Sequence, residues 1–479
     1  MRRLPPLLIA LSLSLAACGD DDGPAGEPDA GVDAGDVDAG PGWPRELPPA
    51  SDLGGPRRGR NLIRSIIHLH SPLSHDACDG QEGLDEALSS DACLADLRAA
   101  LCDTRVDVAM LTDHAPYMNE VPFEEALLAD PSDELVQNTA GDTIASRIAC
   151  PDGHRVLLTV GSENALMPVG LRRHVLEGAD TAALEDAYDA NGSDAVAAFH
   201  AAGALVLVNH TEERTIDDLR TLGVDGIEVY NLHANLDPDS RSMYLGLDDF
   251  TFVTELLNFV DRRRHLAPDL VFLAFFAVSD AYFERWDTLL SEGQRIVGLA
   301  GTDAHQNTFP DALGDGERMD SYRRMIRWFS NHMLIDGEPT PDSVAEALGA
   351  GRFYMAFEAF GTPVGFDFFA ENGGATADMG DETPVGATLR VLRPSLPPGH
   401  PAEPAPTISM RLLRSAAGGP VEVANGDGDV LEHTTTEAGS YRAEVRIVPE
   451  HARPFLEDRA DALIHESIWI ETNPIHVVE

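Results

Sequence analysis

The sequence predicts an α/β fold: a distorted (β/α)7-type, TIM-like barrel followed by a small C-terminal β-sandwich. Three observations predict it. First, apolar runs repeatedly end in His, Asp or Glu. The run at 62–67 leads into His68-Leu69-His70, 106–111 into Thr112-Asp113-His114, and 156–160 into Gly161-Ser162-Glu163. Likewise 205–208 leads into Asn209-His210, and 295–300 into Gly301-Thr302-Asp303-Ala304-His305. Buried strands tipped this way describe a barrel with metal ligands on its carboxyl-terminal rim. Second, amphipathic stretches at 92–101, 194–202, 250–264, 282–290, 322–332 and 341–348 alternate with these runs, placing the barrel at 61–357. Third, the pattern changes at Gly361. The segments 407–413, 441–448 and 467–472 are β-like and bounded by Gly, Pro, Asn and Asp, which reads as a sandwich over 361–479.

The chain opens with the basic Met1-Arg2-Arg3, an apolar stretch at 4–15 and the small-residue close Ala16-Ala17-Cys18. That stretch is too short to span a bilayer and reads as an export signal. Leu15-Ala16-Ala17-Cys18 resembles a bacterial lipoprotein box, which implies a signal at 1–18 and a lipidated Cys18 as the mature amino terminus. The expected location is therefore a bacterial membrane, at its periplasmic face or the cell surface. Residues 19–60 are rich in Asp, Gly, Ala and Pro, with near-repeats such as Val32-Asp33-Ala34-Gly35 and Val37-Asp38-Ala39-Gly40. So few large apolar side chains cannot offset the entropy of ordering, and the segment reads as a disordered tether.

The net charge is −47, and the tether's ten acidic and four basic residues explain little of it. The folded region is itself acidic. That argues against nucleic acid or anionic lipid as partners and leaves a small-molecule ester as the expected ligand. Cys78, Cys93, Cys102 and Cys150 are an even set, consistent with two disulfides in an oxidising compartment. Residues 94–101 read as helical, which would set Cys93 and Cys102 roughly 13 Å apart, too far for a bridge. Cys78–Cys93 with Cys102–Cys150 is the favoured pairing. A cysteine-bound zinc lacks the usual Cys-x-x-Cys spacing.

On a regular strand His68 and His70 point to one side, because side chains alternate with a period of two. A His-x-His pair at a strand end can chelate a cation. The following loop delivers His75 or Asp76, Glu163 has two oxygens with which to bridge two ions, and His114, His210, Asp303 and His305 complete the set. Imidazole with carboxylate suits zinc, iron or manganese. Glu163, His210 and Asp303 are the residues expected nearest the chemistry. Arg172, Arg173, Asn231 and His233 are the nearest polar candidates for substrate contact, and Glu228 is a candidate supporting acid. His200, His265, His332, His400, His433, His451 and His465 fall outside the pattern and are expected at the surface.

Taken in order, His68-x-His70, Thr112-Asp113-His114, Glu163, His174, His210 and Asp303-x-His305 resemble the ligand series of the PHP (polymerase and histidinol phosphatase) metal-dependent hydrolases. The resemblance covers the whole predicted barrel. It implies two or three divalent ions (Zn, Mn or Fe) held by His68, His70, His114, Glu163, His174, His210, Asp303 and His305. His174 enters only through it, by its place eleven residues after Glu163. Asp113 is expected to orient the site rather than ligate. Where the family commonly has an Asp, this chain has His75, with Asp76 displaced by one. His75 is expected as the ligand and Asp76 to face its neighbours, on a loop pinned by Cys78. The signal, the barrel and a β tail ending Asn473-Pro474-Ile475-His476-Val477 look most like the exported carbaryl-hydrolase-like branch.

Two cations about 3.5–4 Å apart would activate a bridging water and neutralise charge on the leaving oxygen. Phosphoester hydrolysis is the leading expectation, and carbamate, amide or carboxylic ester hydrolysis on the same site is the runner-up. No Gly-x-Ser-x-Gly elbow supports a serine nucleophile. A non-catalytic surface binding protein with structural metals is the reading from another class; so many open strand-tip ligands speak against it.

Overall fold

Four of residues 62–67 are apolar, and the strand that contains them, Asn61–Leu69, is buried at every position but its first. Val108–Leu111 lies parallel to it on one side, with Arg155–Thr159 parallel beyond, and Ser330–Ile335 lies antiparallel on the other. Parallel strands buried on both faces read as unbroken apolar runs, which is why these were visible in the sequence. The computed structural model describes residues 42–80, 83–88, 90–238, 240–247 and 251–479. The expected signal, Cys18 and most of the expected tether lie outside the described residues.

Met167–Val169, Leu205–Val208, Gly226–Asn231 and Val297–Gly301 form a second sheet, the last three strands parallel. A few backbone bonds stitch it to the first sheet at both borders. Leu171 N donates to Val160 O (2.8 Å), Thr302 N to Ile67 O (3.1 Å) and His70 N to Ala304 O (3.2 Å). Ile63, Ile67, Val108, Met110, Leu157, Met167, Leu207, Val297 and Leu299 fill one cluster between the two sheets. Each such side chain contributes about 1.5–3 kcal/mol by leaving water.

Of the distorted TIM-like barrel expected from the alternation, the described residues show a mixed α/β arrangement with a large central sheet. The parallel strands divide between two sheets, and the larger runs on through Ser330–Ile335 and Phe353–Ala356 into the C-terminal strands. Phe353–Ala356 pairs with Ser467–Thr472, which pairs with Gly439–Val448. Ser467–Thr472 is buried throughout, and pairing on both edges satisfies its peptide groups. The strands expected as a sandwich from 361 therefore share one thirteen-stranded sheet with Asn61–Leu69, Val108–Leu111 and Arg155–Thr159, and a separate four-stranded sheet holds Asp367–Asn372 and Thr388–Leu392. The stretch at 322–332 splits into a short helix, Tyr322–Ile326, and the strand Ser330–Ile335. Short apolar runs do not distinguish the two by periodicity.

The tether is expected to reach residue 60, but part of that stretch is packed into the fold. Trp43, Leu47, Ala50 and Leu53 are buried. Trp43 stacks on His451 with ring centroids 5.6 Å apart, and Arg64 and Arg327 donate to the carbonyls of Pro48 and Pro44. Two histidines expected at the surface are also buried. His332 lies 2.9 Å from Glu358, which Arg64 clasps as well, and His451 donates to Phe360 O at 2.9 Å. Both favoured disulfides, Cys78–Cys93 and Cys102–Cys150, are formed, which suggests an extracytoplasmic protein. Among the described residues, no helix is long and apolar enough to cross a membrane.

Candidate metal centre

The parallel strands of both sheets deliver their carboxyl ends to one place. His68 lies in Asn61–Leu69 and His70 follows it, His114 follows Val108–Leu111, and Glu163 follows Arg155–Thr159. His210 follows Leu205–Val208, His233 follows Gly226–Asn231, and Asp303 and His305 follow Val297–Gly301. Three of these residues have left-handed backbone, with φ of 65° at His68, 46° at His210 and 50° at Asp303. That conformation is uncommon without glycine and concentrates where a fold holds side chains for function. At His68 the ladder to Val108–Leu111 skips between Ile67 and Leu69. The convergence of His68 and His70, ring centroids 5.3 Å apart, is thus made at a bulge and not by plain alternation.

Three groups of ligand-type side chains result: His68, His70, Glu163 and Asp303; His70, Asp76 and His114; and His233, Asp303 and His305. Glu163 is central. Its Oε2 lies 2.9, 3.1 and 3.3 Å from Nε2 of His68, His70 and His114, and its Oε1 lies 3.2 Å from Nε2 of His210. Asp303 Oδ1 lies 3.4 and 3.2 Å from Nε2 of His68 and His70. Its Oδ2 lies 3.5 Å from His210 Nε2 and 3.6 Å from His233 Nδ1.

Hydrogen bonds on the far side of three of the rings fix their tautomers. His68 Nδ1 donates to Glu228 Oε1 at 2.6 Å. The Ser74 hydroxyl donates to Asp76 at 2.7 Å and so accepts from His70 Nδ1 at 3.0 Å. His210 Nδ1 donates to Glu212 at 2.9 Å, and the Tyr282 hydroxyl holds that carboxylate at 2.7 Å. An imidazole protonated at Nδ1 presents a bare lone pair at Nε2. Three such lone pairs therefore face carboxylate oxygens, an arrangement that is repulsive unless a cation lies between them. Nε2 of His68, Nε2 of His70 and Nδ1 of His305 are buried without a hydrogen-bond partner. The residues fit a multinuclear site for divalent ions, with carboxylates orienting the histidine ligands from behind.

In a metal-free centre protons take the cations' place. Burial pulls the His68 imidazole down, but Glu163, Asp303 and Glu228 outweigh it and raise it to about 10. Burial likewise opposes, and the carboxylates override it to raise, His70 and His210. Burial alone would raise Glu163 and Asp303, yet the facing imidazoles hold both well below the usual carboxylate range. Metal binding would release these protons. Burial pushes Asp113 up to about 6 even though Ser71 donates to it through its amide (2.5 Å) and hydroxyl (2.7 Å).

Two expected ligands stand elsewhere. Asp76, not His75, joins His70 and His114: its Oδ2 lies 3.3 Å from His114 Nε2, while His75 is exposed and only lies tilted against the His114 ring, centroids 4.8 Å apart. His174 has both ring nitrogens engaged, Nε2 with Val121 O at 2.9 Å and Nδ1 with the Tyr188 hydroxyl at 3.0 Å. It belongs to none of the three groups. Of the substrate-contact candidates, Asn231 and His233 reach Asp303, whereas Arg172 pairs with Asp342 and Arg173 donates to Ala201 O. Sequence reasoning missed Ser74, Glu212 and Tyr282. The spacing His210-Thr211-Glu212 was the one signal available for Glu212.

No protein-family model and no curated protein matches the chain. Among solved structures it is similar to a two-domain protein from Bacteroides vulgatus containing a predicted PHP-like metal-dependent phosphoesterase. Identity is 14%, the alignment covers 83% of this chain and 92% of that one, and the TM-score is 0.32. A likeness of that degree assigns neither fold nor activity.

Proposed function

We propose that this chain is an exported metal-dependent hydrolase of the PHP type, acting on phosphoesters and tethered by lipid at Cys18. What supports the reading is the set of imidazole lone pairs of His68, His70 and His210, each locked from behind and aimed at Glu163 and Asp303. Bound divalent ions would supply an activated water and a Lewis acid for the ester oxygen. The chain's own residues do the rest. Glu228, Ser74 and Glu212 hold the tautomers, and the two oxygens of Glu163 serve different histidines. His233, with its side chain 34% exposed beside Asp303, would contact the bound ester.

The test is turnover of p-nitrophenyl phosphomonoesters, phosphodiesters and carboxylic esters by protein loaded with Zn²⁺ or Mn²⁺. Phosphoester turnover that disappears in Glu163→Ala and His70→Ala is expected. Turnover of carboxylic esters alone would move the assignment to the ester and carbamate class. Full metal content with no turnover of any ester would favour a non-catalytic surface protein.

A further inference from the structure

Beside the group His233, Asp303 and His305 lies a small pocket whose walls are almost entirely carbon. Leu232, Leu236, Phe272, Phe275, Phe309 and Met325 form it, and the His233 and His305 rings stand on its metal-centre side. Those two rings meet edge to face with centroids 4.7 Å apart, so the pocket and the metal group share them. Asp320 also borders it, but its carboxylate is spent on the amides of Thr308 and Phe309, at 2.8 and 2.6 Å, and on Arg318. The free volume is about 20 Å³, room for roughly one water-sized or methyl-sized group. A water there would face mostly carbon and lack the two to four polar partners that hold buried water.

We infer that this pocket receives a methyl- to ethyl-sized apolar substituent carried on the reacting group of the substrate. The inference rests on the hydrolase reading, because it takes the reacting group to sit at His233, Asp303 and His305. A substrate with a hydroxylated or charged substituent at this position, such as a sugar carbon or a second phosphate, would leave polar groups unpaired against Phe272, Phe275 and Leu236. A one-carbon difference in such a pocket is worth about 10–200-fold. Larger groups meet Phe309 and Met325.

Alkylphosphonates test this without requiring turnover. Calorimetry on Zn²⁺-loaded protein should show methylphosphonate and ethylphosphonate binding about tenfold or more tightly than inorganic phosphate. Hydroxymethylphosphonate, matched in size to the ethyl compound, and benzylphosphonate should both bind more weakly than ethylphosphonate. Phe309→Ala, a change at a half-buried loop position, should move the optimum to propylphosphonate or butylphosphonate. Equal affinities across the series, no binding of any phosphonate, or an unmoved optimum in Phe309→Ala would overturn the inference. Turnover of nitrophenyl esters with a flat phosphonate series would sink the pocket and leave the hydrolase standing. A graded series without turnover would keep the pocket's preference for small apolar groups but overturn its assignment to the reacting group of a substrate.

Discussion

Gly301 should be replaceable by no other residue without loosening the metal centre. A Cβ built on it would lie 1.7 Å from Glu228 Oε1, 2.5 Å from Glu228 Cδ and 3.2 Å from His68 Nδ1. Glu228 must therefore leave the position from which it accepts hydrogen bonds from His68 Nδ1 (2.6 Å) and the His210 amide (2.9 Å). Gly301 is not among the glycines with positive φ, so alanine is allowed there conformationally and only the collision acts. Hydrogen bonds to charged groups contribute about 1.5–3 kcal/mol, and loss of an outer partner of a ligand typically costs 10–100-fold in metal affinity. The two estimates agree, since tenfold corresponds to about 1.4 kcal/mol. Gly301→Ala should thus weaken Zn²⁺ binding by about 10–100-fold, measured by competition with a chromophoric chelator. Glu228→Ala should cost a similar amount. Combined with Glu228→Ala, the glycine change should cost little more, because the atom it strikes is gone. Affinity unchanged in Gly301→Ala, or losses that simply add in the double variant, would refute the role given to Glu228.

Asp76→Asn should lower metal affinity about tenfold or more and His75→Ala much less, read from metal content and hydrolysis; the opposite order would return the ligand role to His75. Burial holds His451 at about 4, below its ordinary 6.5, so its contribution is complete above pH 6.5 and is lost as pH falls from 6.5 to 4. The difference amounts to about 3 kcal/mol. Glu358, pushed up by burial but held at about 2 by Arg64 and His332, loses its contribution only between pH 4.5 and 2. Denaturant unfolding at pH 7 and pH 4 should therefore show a smaller loss in His451→Gln than in the wild type, and equal losses would rule this out. Cys18→Ser should shift the protein from the membrane fraction to a soluble extracytoplasmic one at unchanged specific activity; persistence in the membrane fraction would remove the lipid anchor.

Much of the centre was legible because its residues stand at the ends of apolar runs. His68, His70, His114, Glu163, His210, Asp303 and His305 all converge, as residues carried on parallel strands must when the strand ends meet. The reason given for His68 and His70 differed from the structure's, since a bulge invisible in the pattern re-aims His68. The choice between His75 and Asp76 depends on the path of one loop. Asp113 captures the amide and hydroxyl of Ser71 and turns the chain so that Ser74 faces His70 and Asp76 follows it. No local periodicity encodes that. His174 shows the converse, a histidine at a suggestive spacing whose nitrogens serve Val121 and Tyr188. The barrel expectation reached further than the mixed α/β arrangement described, because parallel runs specify strands but not how sheets join. The docked segment at Trp43 was missed because composition averages away a few well-spaced apolar residues.

The metal content of the purified protein tests the reading most directly. Inductively coupled plasma mass spectrometry, after dialysis against Zn²⁺, Mn²⁺ or Fe²⁺ and removal of loosely held ions, should find at least two divalent ions per chain. Glu163→Ala should fall to one or fewer, with its circular dichroism unchanged. A wild-type chain that retains no divalent ion, or a Glu163→Ala chain that retains them all, would contradict it.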